Sequence, residues 1–102
     1  MNLKIMILNA NPIKTKDGQT LTRYEYAILD LPYCQKARGT NFVGAVVVNG
    51  FHKDSELYQK ITDFVLQPVD AEFDYKTDFK DPMNQKFVLK EIKGKNGALS
   101  LL

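Results

Sequence analysis

The chain has little to cross-link or catalyse with. Its 102 residues include one cysteine, Cys34, and one histidine, His52. One thiol excludes an internal disulfide framework and a cysteine-based zinc site within one chain. One histidine and one cysteine, with no local support for a Cys-His-Asp or Cys-His-Asn arrangement, do not make a nucleophilic site. No apolar run exceeds four residues, as in Ala45-Val46-Val47-Val48, against the roughly 20 that a membrane helix needs. No apolar stretch followed by a small-residue cleavage site opens the sequence, so the expected location is cytoplasmic. Charge of one sign is not in excess either. Fourteen Lys and Arg against twelve Asp and Glu leave +2, too mild to argue nucleic-acid binding by itself.

What is present is ordinary for a folded domain. The hydrophobic fraction is 44% and the charged fraction 25%, which excludes global disorder. The length is near the mode for one domain, so a single domain over 1–102 is expected. The charges are unevenly placed: residues 1–52 carry a net +3, residues 53–75 a net −4 and residues 76–102 a net +3. If the two basic ends meet in space, the molecule has a basic face and an acidic back.

Residues 2–8 alternate as a strand, with Leu3, Ile5 and Ile7 on one face. Asn9-Ala10-Asn11-Pro12 interrupts it as a bulge or bend, and Ile13-Lys14-Thr15 resumes it. Asp17-Gly18 marks a tight turn. Thr20 to Leu31 reads as the return strand, ended by Pro32. Residues 33–39 read as a basic loop. The β-branched segment Phe42 to Asn49 predicts a central strand covered on both faces, closed by Asn49-Gly50. Asp54 to Leu66 is the one good helix. It has Asp54 or Ser55 as N-cap, a Leu57, Ile61, Phe64 and Val65 stripe, and Pro68 as stop. Val69, Ala71, Phe73 and Tyr75 then alternate strictly with Asp70, Glu72, Asp74 and Lys76 as a half-buried strand. Residues 77–85 read as a polar loop, Phe87 to Ile92 as a strand, and Ala98 to Leu102 as a short partner across a Gly94–Gly97 turn.

This order predicts a mainly β chain: a five-stranded OB-fold Greek-key barrel, with one helix between strands three and four and a C-terminal hairpin. A helix packed on one face of an antiparallel sheet is the competing architecture. OB barrels bind oligonucleotides and oligosaccharides across strands two and three, between the loops that follow strands one and four. Those loops hold Lys14 and Lys16 in one and Lys80 and Lys86 in the other. Arg23, Lys36 and Arg38 add cations that can neutralise phosphates. Tyr24, Tyr26, Tyr33 and Phe79 supply rings on which unpaired bases can stack. Strand packing is the alternative use of Tyr24 and Tyr26.

The segment Lys14-Thr15-Lys16-Asp17-Gly18-Gln19-Thr20-Leu21-Thr22-Arg23-Tyr24-Glu25-Tyr26 resembles the small single-stranded DNA-binding proteins of filamentous phages and mobile elements. In those proteins a basic, glycine-containing loop leads into a strand of aromatic and basic residues. Lys93-Gly94-Lys95-Asn96-Gly97-Ala98-Leu99 is similar to their terminal hairpin. The helix over 54–66 departs from the phage pattern and suits a general OB-fold. The resemblance implies a non-catalytic, sequence-tolerant binder of single-stranded DNA. It would serve phage or plasmid replication in a bacterial host cell, act as a homodimer and need no cofactor or metal.

Two other function classes fit parts of the sequence. Asp70, Glu72 and Asp74, with Glu56 and Asp63, offer an acidic surface for a protein-binding adaptor or inhibitor. Asp74-Tyr75-Lys76 and Glu91-Ile92-Lys93 fit the short acid-x-Lys pattern of metal-dependent nucleases, a pattern that chance supplies readily.

Overall fold

The computed structural model describes residues 2–77, 85–95 and 97–101, with 75–77 and 85–87 described by backbone alone. The chain is mainly β. In order it forms β1 (Asn2–Lys14), β2 (Thr20–Ile28), α1 (Leu31–Arg38), β3 (Val46–His52), α2 (Leu57–Ile61) with a 3₁₀ turn over Thr62–Phe64, β4 (Pro68–Thr77), β5 (Gln85–Gly94) and β6 (Gly97–Ser100). The six strands make one antiparallel sheet in the order β3-β2-β1-β4-β5-β6. No helix among the described residues is long and apolar enough to cross a membrane.

β1 organises the sheet by changing neighbours along its length. Asn2 to Met6 pair with β4, and Ile5 to Lys14 pair with β2. The register shifts between Ile7 and Asn9, so Leu8 is an extra residue and the strand bends there. The bulge falls at Leu8, just before the interruption expected over Asn9-Ala10-Asn11-Pro12, and those four residues stay in register with β2, with Pro12 opposite Thr22. At the bend the Ile7 carbonyl accepts a hydrogen bond from the Leu66 N–H at 2.8 Å, which ties the helical segment to the bulge.

One face of the sheet carries the core. Leu3, Ile5 and Ile7 from β1, Tyr24, Tyr26 and Ile28 from β2, Val69, Ala71 and Phe73 from β4, and Leu89 and Ile92 from β5 are buried together. Leu57, Ile61 and Phe64 cover them with the stripe expected of a helix at this point. The helix is shorter than the predicted span 54–66. Only Leu57–Ile61 is α-helical, because the turn before it is held locally: the Leu57 N–H donates to the Asp54 carbonyl and the Glu56 N–H to the Asp54 carboxylate. His52 completes this corner. Its Nδ1 accepts from the Asp54 N–H at 3.0 Å, so Nε2 carries the proton and donates to the Leu101 carbonyl.

Three sequence expectations are corrected. Residues 31–38 are a helix, where a basic loop was expected over 33–39. Pro32 sits in the first turn, where its missing N–H costs nothing, and the Cys34 N–H closes the first bond to the Asp30 carbonyl at 3.0 Å. The buried Cys34 pins this helix, with its thiol donating to the Ile28 carbonyl. The third strand is Val46–His52, at an edge of the sheet, with Val47, Asn49 and Phe51 exposed, instead of a central strand doubly covered from Phe42 to Asn49. Finally, six strands are present and the sheet is open. Among the described residues no ladder joins β3 to β5 or β6. Closure needs backbones about 4.8 Å apart. Between Val48 of β3 and Phe73 of β4 lies instead a cavity of about 300 Å³, lined also by Tyr33 of α1.

Candidate nucleic-acid interface

The face of β1, β2 and β3 opposite the core is where polar, cationic and aromatic side chains meet. Register builds it row by row. Asn11, Arg23 and Phe51 are cross-strand neighbours, and so are Asn9, Glu25 and Asn49 in the next row. The two rows are joined by side chains. Arg23 donates to Asn49 Oδ1 at 3.0 Å and lies 3.7 Å from Glu25 Oε2, while Asn9 Nδ2 donates to Glu25 Oε1 at 3.2 Å. A polar ladder therefore crosses three strands with a single cation near its centre. Phe51 stands directly opposite Arg23 and is 59% exposed. Phe51 shares the exposed face of this edge strand with Asn49 and the half-exposed Val47, and its open ring is available for stacking.

Phe51 is the residue that sequence reasoning missed. Asn49-Gly50 looked like a turn that closed the strand, which left Phe51 outside it. The signal was the alternation of Val47, Asn49 and Phe51, continuing through the glycine. Gly50 is a strand residue because the Tyr24 ring lies across it; a Cβ there would come within 2.5 Å of Tyr24 Cε2 and Oη.

That same packing puts Tyr24 and Tyr26 to the use that stood as the alternative to base stacking, strand packing. Both point to the core face and are 5% and 4% exposed. Their rings stack on each other with centroids 6.0 Å apart, and Tyr26 meets Phe73 at 5.9 Å. Burial pushes both phenols above their ordinary pKa. Tyr33 is half-buried on α1 and packs against the core. Lys36 and Arg38 are exposed on the same helix, with both cations in its last turn, the favourable end of the helix dipole.

Lys14 and Lys16 lie exposed at the tip of the β1–β2 hairpin. The tip is ordered: the Thr15 N–H donates to the Gln19 carbonyl at 2.8 Å, the Gln19 N–H to Thr15 Oγ1 at 3.1 Å, and Gly18 takes φ +89°. The Thr15 hydroxyl donates to Asp17 and holds that carboxyl below its ordinary value. By register Lys14 shares a face with Thr20 and Thr22, opposite the Arg23 face. Thr20 is three residues, about 10 Å, from Arg23 along the strand. Phe79 and Lys80 lie outside the described residues, and Lys86 is placed by its backbone alone, opposite Lys76. The structure thus places Arg23 and Phe51 on one face, with Lys16 in the hairpin turn beyond its end and Lys14 on the opposite face.

The charge blocks do not segregate as the sequence suggested. Acidic β4 lies between β1 and β5, so the basic ends are separated within the sheet. Its acids are interleaved with lysines: Asp70 with Lys4 at 3.7 Å and opposite Lys93, Glu72 with Lys90 at 3.9 Å. Among the described residues no group of three or more His, Cys, Asp or Glu side chains is placed to hold a metal ion. Comparison of the chain with protein-family models, with curated proteins and with solved structures finds no match.

Proposed function

We propose that the chain is a non-catalytic single-stranded DNA-binding protein that holds its ligand across the outer face of β2 and β3. The observation that carries this reading is the exposed Phe51 ring directly opposite Arg23. An open ring and an arginine on the same face offer a base a stacking partner and the strand a cation. The strand order supports it. The run β3-β2-β1-β4-β5, with a long bent first strand shared between β2 and β4 and a helix between β3 and β4, follows the element order expected for an OB barrel, without the ladder that would close one. In that fold the β2–β3 face and the loop after β1 are the binding elements, and here they carry Phe51 and Arg23 on the face and Lys16 in the loop. Lys36 and Arg38 are exposed on α1, which packs on the core side of the sheet, and are not part of this surface. Phage or plasmid replication is the setting that the resemblance of residues 14–26 suggests.

Fluorescence anisotropy with a labelled oligo-dT at two salt concentrations tests the reading. Affinity should fall steeply as salt rises, through counterion release. Phe51→Ala should weaken binding roughly 5- to 150-fold, the equivalent of about 1–3 kcal/mol for one lost stack. Absence of binding at low salt, or equal affinity for duplex DNA, would defeat the proposal.

A further inference from the structure

We infer that Glu25 makes this face select guanine over the other three bases. The inference rests on the reading of the face as a single-strand platform and names the base that the platform prefers. A carboxylate in the middle of a phosphate-binding surface needs a reason, because it repels the DNA backbone. Here it is held in place from two sides: Asn9 Nδ2 donates to Oε1 at 3.2 Å, and the Arg23 guanidinium lies 3.7 Å from Oε2. Two held oxygens still have lone pairs to offer, since a carboxylate accepts about four hydrogen bonds.

Guanine alone presents two adjacent donors on its pairing edge, N1–H and the N2 amino group, and these match a carboxylate with two parallel bonds. Its O6 comes next on the same edge and accepts from a guanidinium. Glu25 and Arg23, side by side, carry the complementary pattern of two acceptors and then a donor. Adenine, cytosine and thymine each place an acceptor next to their donor, which sets a lone pair against one Glu25 oxygen. Phe51, one row away on β3, supplies the ring over which the selected base lies.

The test is anisotropy at one fixed low salt with four labelled oligonucleotides: oligo-dT, and versions in which alternate thymines are replaced by guanine, adenine or cytosine. The guanine version should bind at least about fivefold more tightly than the other three, the lower end expected for one bidentate base contact. Glu25→Gln, which replaces one acceptor by an N–H, should bring that ratio below about twofold. Its fold can be checked by circular dichroism, and the wild-type series stands without it. Four wild-type affinities within about twofold of each other would overturn the inference while leaving the platform intact. A guanine preference that survives in a folded Glu25→Gln protein would also overturn it. No binding to any of the four would remove the platform reading and this inference together.

Discussion

Gly50→Ala should destabilise the fold, although an alanine in a strand is ordinarily worth about 0.5–1 kcal/mol more than a glycine. The sign reverses because Tyr24 occupies the space. An added Cβ would lie within 2.5 Å of Tyr24 Cε2 and Oη, where carbon atoms normally stay about 3.5–4.0 Å apart. The ring must therefore shift by about 1 Å or leave. It cannot shift freely, because Tyr26 is stacked on it at 6.0 Å, with the ring planes 22° apart. Expelling it would return up to about 150–250 Å² of aromatic surface to water, an upper bound of about 4–6 kcal/mol. Partial repacking lowers this to about 2 kcal/mol, as for other overpacked cores. For a chain of this size that is a fall in Tm of about 8–16 °C, read by thermal unfolding in near-ultraviolet circular dichroism. A variant whose Tm matches the wild type would refute the reasoning. It would mean that Tyr24 swings out at no cost, and it would return that ring to the set of stacking candidates.

Two further outcomes concern stability. Asp54 accepts from the Glu56 N–H and pairs with Lys60 at 3.1 Å, which together hold its carboxyl below the ordinary 3.8. A depressed folded-state value means the contribution is present above the ordinary carboxylate range and is lost as pH falls through the folded value. Asp54→Asn should therefore be less stable than wild type in urea at about pH 6, and the gap should close by about pH 2; a gap of equal size at both would count against it. Leu66, exposed and at φ +61°, occupies the left-handed region that asparagine tolerates better. Leu66→Asn should raise Tm by a few degrees, about 0.5 kcal/mol, and a lower Tm would show that the leucine side chain has a structural use.

Local chemistry was legible in the sequence wherever one periodicity dominated. The alternation at 69–74 and the stripe of Leu57, Ile61 and Phe64 both fall on the core as expected. Asp17-Gly18 turns the β1–β2 hairpin, with Gly18 at φ +89°. Misreadings came from residues with two structural uses. Pro32 stops a strand, yet it also starts a helix, because φ near −65° and a missing N–H suit both. Asn49-Gly50 is a turn signal, yet a glycine in a strand also makes room for a ring from the neighbour. Nothing local distinguishes the two uses, since the deciding atom belongs to Tyr24, 26 positions away in the chain.

The site followed the same division. Arg23 and the hairpin lysines could be proposed from composition and spacing, because charge is a property of the residue itself. Whether an aromatic ring stacks on a ligand or packs in the core is a property of its face. The face depends on strand register, and a shift of one residue inverts it. The sequence by itself determined a mainly β chain, its hairpin turn, its apolar helix and its cationic residues. Only the tertiary structure decided that Tyr24 and Tyr26 turn inward, that Phe51 turns outward beside Arg23, and that acidic β4 stands between the two basic ends. Burial and neighbourhood arise from long-range strand pairing, and no short window of sequence contains both partners.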